Sequence, residues 1–120
     1  MAQVIPYQLY MRYCACDYVL VSESPPDRYE RVSELFRVLA SPVRVAIVDL
    51  LADQERFVHQ LIEATGLSQP LVSQHLRVLR DARLVRRVRR GREMAYALRD
   101  EHVAHIVRDA IAHIREEGPP

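Results

Sequence analysis

Apolar residues fall at helical spacing over most of the chain and switch to strand spacing in one stretch. Asp27 with Glu30 three residues on forms a capping pair that opens a first helix, whose Val32, Leu35, Phe36 and Leu39 repeat at helical period. Ser41-Pro42 starts a second, with Ser as N-cap and Pro at the first helical position; Val43, Ala46, Ile47, Leu50 and Leu51 face inward. Val58 to Thr65 supplies Val58, Leu61 and Ile62 as a third, closed by Gly66, and Ser68 caps a fourth that runs through Ala82. In the fourth, Val72, Leu76 and Leu79 point to the core while Gln69, Ser73, Arg77 and Arg80 project outward, with Gln74 beside them. From Val85 to Leu98 the period becomes two: Met94, Tyr96 and Leu98 alternate with small or polar neighbours around a turn at Arg90-Gly91-Arg92. The last helix carries Val103, Ile106, Val107, Ala110, Ile111 and Ile114 as one stripe.

Two short helices joined around a glycine make a helix-turn-helix, and a β-hairpin directly after it makes a winged helix. The expected fold is therefore mainly α with a β-hairpin wing. Residues 1–26 form an N-terminal extension rich in tyrosine, with a short helix expected from Tyr7 to Tyr18, ending at the breakers Ser24-Pro25-Pro26. Residues 27–117 form the winged helix-turn-helix domain.

Net charge is only +1 over 120 residues, but its distribution is uneven. From Ser68 to Arg99 nine arginines face only Asp81 and Glu93, a balance of +7, whereas from Asp100 onward two arginines face five acids. A basic middle suits a locally placed polyanion. The major groove of DNA admits a helix, where Gln pairs two-pronged with adenine and Arg with guanine. Gln69, Ser73 and Gln74 are thus candidate base readers, and Arg77 and Arg80 candidate phosphate contacts. In the wing, Arg86, Arg87, Arg89, Arg90 and Arg92 exceed what edge protection requires and are expected on phosphates or in the minor groove.

The last helix carries a second chemistry. Asp100, His102, His113 and Glu116 are donors that zinc takes, yet His102 and His113 lie roughly 16 Å apart along one helix, whereas ligands of a single ion sit within about 2 Å of it. One helix cannot close that shell. Two antiparallel copies can, so a metal site here implies a homodimer about a twofold axis. The same residues also suit a plain surface role, with Asp100 as an N-cap and the histidines on a solvated face. Zn2+ fits two imidazoles and two carboxylates; Co2+ fits the same shell, and Ni2+ would need a further donor such as His105.

The runs LFRVLASPVRVAIVDLLA and LSQPLVSQHLRVLRDARLVRRVRRGREMAYAL resemble the ArsR/SmtB family of metal-responsive bacterial repressors, over roughly residues 30 to 117. That resemblance implies a homodimer joined through its first and last helices, holding double-stranded operator DNA when metal-free and releasing it when metal binds. It also implies a zinc site between the C-terminal helices at Asp100, His102, His113 and Glu116. The chain departs from relatives that sense soft metals by a Cys-x-Cys sequence before the turn, since Phe57, Val58 and His59 stand there. Cys14 and Cys16, joined by His59, form a candidate second metal or redox site.

Two rival readings follow from the same residues: a thiol switch using Cys14 and Cys16, and a winged-helix module whose basic wing meets an acidic protein. No nucleophile and base pair, phosphate-cradling glycine loop or open metal shell points to an enzyme. No apolar run approaches the roughly 20 residues of a membrane span, and a cytoplasmic location without membrane contact is expected.

Overall fold

The structure, a computed structural model, describes residues 26–117. The expected Tyr7–Tyr18 helix, Cys14 and Cys16 lie outside the described residues. The chain divides into two compact units between Arg37 and Val38. Helix α1, Pro26–Leu39, begins one residue before the expected cap. Asp27 is therefore in its first turn, where a carboxylate favours the helix dipole, and reaches Arg31 one turn on at 3.7 Å. Glu34 pairs with Arg37 farther along the same helix. Tyr29, Val32 and Phe36 are exposed along one side of α1.

The second unit is built around α2, Pro42–Leu51. Ser41 starts it as expected, with extended backbone and an Oγ that accepts from the Arg44 N–H at 3.4 Å, while Pro42 occupies the first turn. Ile47, Val48 and Leu51 are buried. α2 packs against α3 (Val58–Thr65), α4 (Gln69–Asp81), strand β3 (Glu93–Leu98) and α5 (His102–Glu117), which makes it the hub of the core.

The α3–α4 turn is set by Gly66, at φ 72°, whose N–H reaches the Ile62 carbonyl at 2.9 Å. A left-handed residue at this place satisfies the last carbonyls of α3. Ser68 has cap geometry but its side chain makes no cap bond; it contributes its carbonyl, which accepts from the Val72 N–H at 3.0 Å. α4 buries Val72, Leu76 and Leu79. It ends with Arg83 at φ 61° and the Leu84 N–H bonded back to the Leu79 carbonyl at 2.9 Å, which turns the chain into the hairpin.

Strands β2 (Val85–Arg90) and β3 pair antiparallel from Val85↔Leu98 to Arg90↔Glu93 across a two-residue turn at Gly91 and Arg92. A short strand β1, Arg56–Phe57, adds to the other edge of β3 and gives the order β1-β3-β2. The hairpin has the expected span from Val85 to Leu98. Ala95 is the buried position, and Met94, Tyr96 and Leu98 are half-buried. As the central strand, β3 is partly covered on both faces.

Candidate DNA interface and metal-ligating helix

α4 presents Gln69, Ser73, Gln74 and Arg77 to solvent, with Arg80 half-buried. Its placement is fixed from behind by Arg44 on α2, which donates from Nε to the Val38 carbonyl at 2.6 Å and lies 3.3 Å from His75 Nδ1 through Nη1. A guanidinium only donates, so His75 Nδ1 accepts. One cation thus joins the start of α2 to the middle of α4.

On the wing Arg86, Arg87, Arg89 and Arg92 are exposed. Arg90 is exposed too, but it is engaged: Nε reaches Glu55 Oε1 at 2.6 Å and Nη2 reaches Oε2 at 3.0 Å. This two-pronged bond holds the Glu55 carboxyl below the ordinary carboxylate range and raises the pKa of Arg90. The wing arginines are expected on phosphates or in the minor groove. In the protomer, Arg90 straps the wing tip to the turn between α2 and β1.

On α5, Val103 and Val107 are buried, and Ile111 is half-buried. Ile106, Ala110 and Ile114 form an exposed apolar stripe beside them, so the single stripe read from the sequence is split between core and surface. His102, His113 and Glu116 are exposed and adjoin that outer stripe. Asp100 precedes the helix, and its Oδ1 accepts from the His102 N–H at 2.9 Å, the N-terminal role open to it from the sequence. Among the described residues of one protomer, no three His, Cys, Asp or Glu side chains come together to hold a metal ion. α5 is tied to α2 by Arg108, which bonds Asp53 Oδ1 at 2.9 Å and Asp49 Oδ1 at 3.2 Å; these bonds raise its pKa, Asp53 foremost.

His59 is exposed in the first turn of α3, its ring stacked on Phe57 at 5.6 Å and 10°. Both line an open cavity of about 260 Å³ with Ile62, Gln69 and Met94. Arg44, Glu55 and Arg108 were not singled out by the sequence as positioning groups. Their partners lie 31, 35 and 59 positions away, and nothing in local spacing announces such pairs.

Helix, tight turn, exposed polar helix and basic hairpin define a winged helix-turn-helix of the DNA-binding kind. Comparison with known proteins agrees. Residues 41–87 match the family model described as bacterial regulatory protein, arsR family. The chain is 50% identical over 97 residues to the HTH-type transcriptional repressor SmtB of Mycobacterium tuberculosis, covering 79% of this chain and 72% of that one. It is 45% identical over 95 residues to the HTH-type transcriptional regulator KmtR of the same organism, covering 79% and 73%. Among solved structures, the homodimeric winged helix-turn-helix DNA-binding domain of a possible ArsR-family transcriptional regulator from Mycobacterium bovis superposes with TM-score 0.70. It shares 28% identity over 81% of this chain and 92% of that one. The chain belongs to the ArsR/SmtB family of winged-helix transcriptional regulators. That membership places it among DNA-binding regulators and not among enzymes. Among the described residues no helix is long and apolar enough to cross a membrane.

Proposed function

We propose that the protein is a metal-responsive transcriptional repressor that binds operator DNA as a metal-free homodimer and lets go when zinc binds between its C-terminal helices. The observation that carries this reading is the layout of α5. A donor pair lies at each end, Asp100 with His102 and His113 with Glu116, and an exposed apolar stripe of Ile106, Ala110 and Ile114 runs between them. Burying that stripe against its twofold mate brings opposite ends of the two helices together. Asp100 and His102 of one protomer then face His113 and Glu116 of the partner subunit, and their two imidazoles and two carboxylates suit zinc or cobalt. The exposed side of α1, with Tyr29, Val32 and Phe36, gives a second apolar surface for a dimer.

The relatives named as a repressor and a regulator support the DNA-binding half of this reading, and the homodimeric neighbour supports the assembly. Linkage supplies the response. If the dimer with its α5 helices bridged fits free solution better than the operator, DNA affinity falls by the coupling energy, typically about 1–3 kcal/mol. Arg108 carries a displacement of α5 to α2, because its guanidinium holds both Asp49 and Asp53.

The test is a titration of a fluorescent operator duplex with metal-free protein, repeated with zinc, cobalt and nickel. Release by micromolar zinc that disappears in His113→Ala, with metal-free DNA binding unchanged, is expected. A His113→Ala protein still released by micromolar zinc would refute the site.

A further inference from the structure

Leu71 is 45% exposed in the first turn of α4, next to exposed Gln69, Ser73 and Gln74. It stands off the buried stripe of Val72, Leu76 and Leu79 and contributes little to the core. An isolated exposed leucine is ordinary on a protein surface. This one sits at the N-terminal end of the helix that a helix-turn-helix inserts into the major groove, the end whose side chains meet base edges. The apolar group that groove offers is the C5-methyl of thymine.

We propose that Leu71 is a specificity-determining residue that covers the methyl group of one thymine in each operator half-site. The inference rests on the operator-binding reading above and names the base that reading leaves open. Its neighbour Gln74 lies one turn on, a rise of about 4.5 Å, against about 3.4 Å between successive base pairs. Leu71 and Gln74 therefore address adjacent base pairs. An amide that pairs two-pronged with adenine beside an aliphatic chain that covers a methyl selects two neighbouring A·T pairs. Farther along the outer side of α4, Ser73 and Arg77 are polar and Val78 is half-buried; in the first turn Pro70 is exposed as well, and Leu71→Ala tells the two apart.

The experiment starts with the full chain, metal-free, selecting duplexes from a random pool. Each thymine of the selected operator is then replaced by deoxyuridine, which deletes the methyl and keeps every hydrogen-bonding group. Burial of one methyl predicts about fourfold weaker binding per half-site and about fifteenfold with both replaced. The loss should fall at one position per half-site and vanish in Leu71→Ala, while Leu71→Met retains it. Comparing paired duplexes within one variant cancels any general loss of affinity. If Leu71→Ala keeps the full methyl sensitivity, or no thymine shows any, the assignment is overturned while operator binding stands. If no duplex is selected, the operator reading falls as well.

Discussion

Replacing Arg89 by Gln should flatten the salt dependence of operator binding, whereas replacing Arg90 should leave it nearly unchanged. Arg89 is exposed, and no ion pair among the described residues engages it. Arg90 spends its charge on Glu55 through two bonds of 2.6 and 3.0 Å. Each neutralised phosphate contributes about 0.9 to the slope of log affinity against log salt, so losing Arg89 from both protomers removes about 1.8. Between 50 and 200 mM salt that slope corresponds to about a twelvefold difference in how far affinity falls. Anisotropy of a labelled operator over this range reads it directly. Glu55→Gln should release Arg90 and steepen the dependence by up to the same amount. Equal loss of slope in Arg89→Gln and Arg90→Gln would refute the reasoning, because it would mean that Arg90 leaves Glu55 to meet phosphate.

Two further outcomes are expected. The Glu55 carboxyl is held below its ordinary range by Arg90, so its pair is fully formed above the unfolded value and is lost as pH falls through the folded one. An NMR titration should place its transition below that of ordinary glutamates, and Arg90→Gln should move it up; a transition unmoved by that substitution would deny the pair. Leu76→Ala removes a side chain only 2% exposed and should cost about 2–5 kcal/mol in urea denaturation. A cost under about 1 kcal/mol would place Leu76 outside the core.

What could be read in the sequence was local. Ser41-Pro42, the Val58–Thr65 helix and Gly66 each carry their signal within a few residues, and the structure has them at those positions. The hairpin was legible because a two-residue turn with glycine fixes the register of both strands. The two-residue strand β1 was not, since Arg56–Phe57 is too short to show a period and is a strand only by pairing with β3. Period alone does not say which side of β3 is the more buried: the larger Met94, Tyr96 and Leu98 are half-buried, while Ala95 is buried. The exposed polar side of α4 follows from helical period, but the devices that hold the helix do not. Arg44, Arg90 and Arg108 find their partners through the fold. Asp100, His102, His113 and Glu116 are proposed as a donor set from their spacing, and a set so spread along one helix is incomplete in one chain, a conclusion that needs only the rise of a helix.

The central claim is that these donors meet across a twofold axis, and mixing two broken proteins tests it most directly. His102→Ala and His113→Ala should each fail to form the tetrahedral cobalt chromophore, since each spoils both sites of its own dimer. Unfolded together and refolded, about half of the dimers pair one variant with the other, and each such dimer keeps one whole site, built from the intact His102 of one subunit and the intact His113 of its mate. About a quarter of the wild-type absorbance should return, and zinc should displace it. Full absorbance in either variant alone, or none in the refolded mixture, would contradict a site shared between subunits.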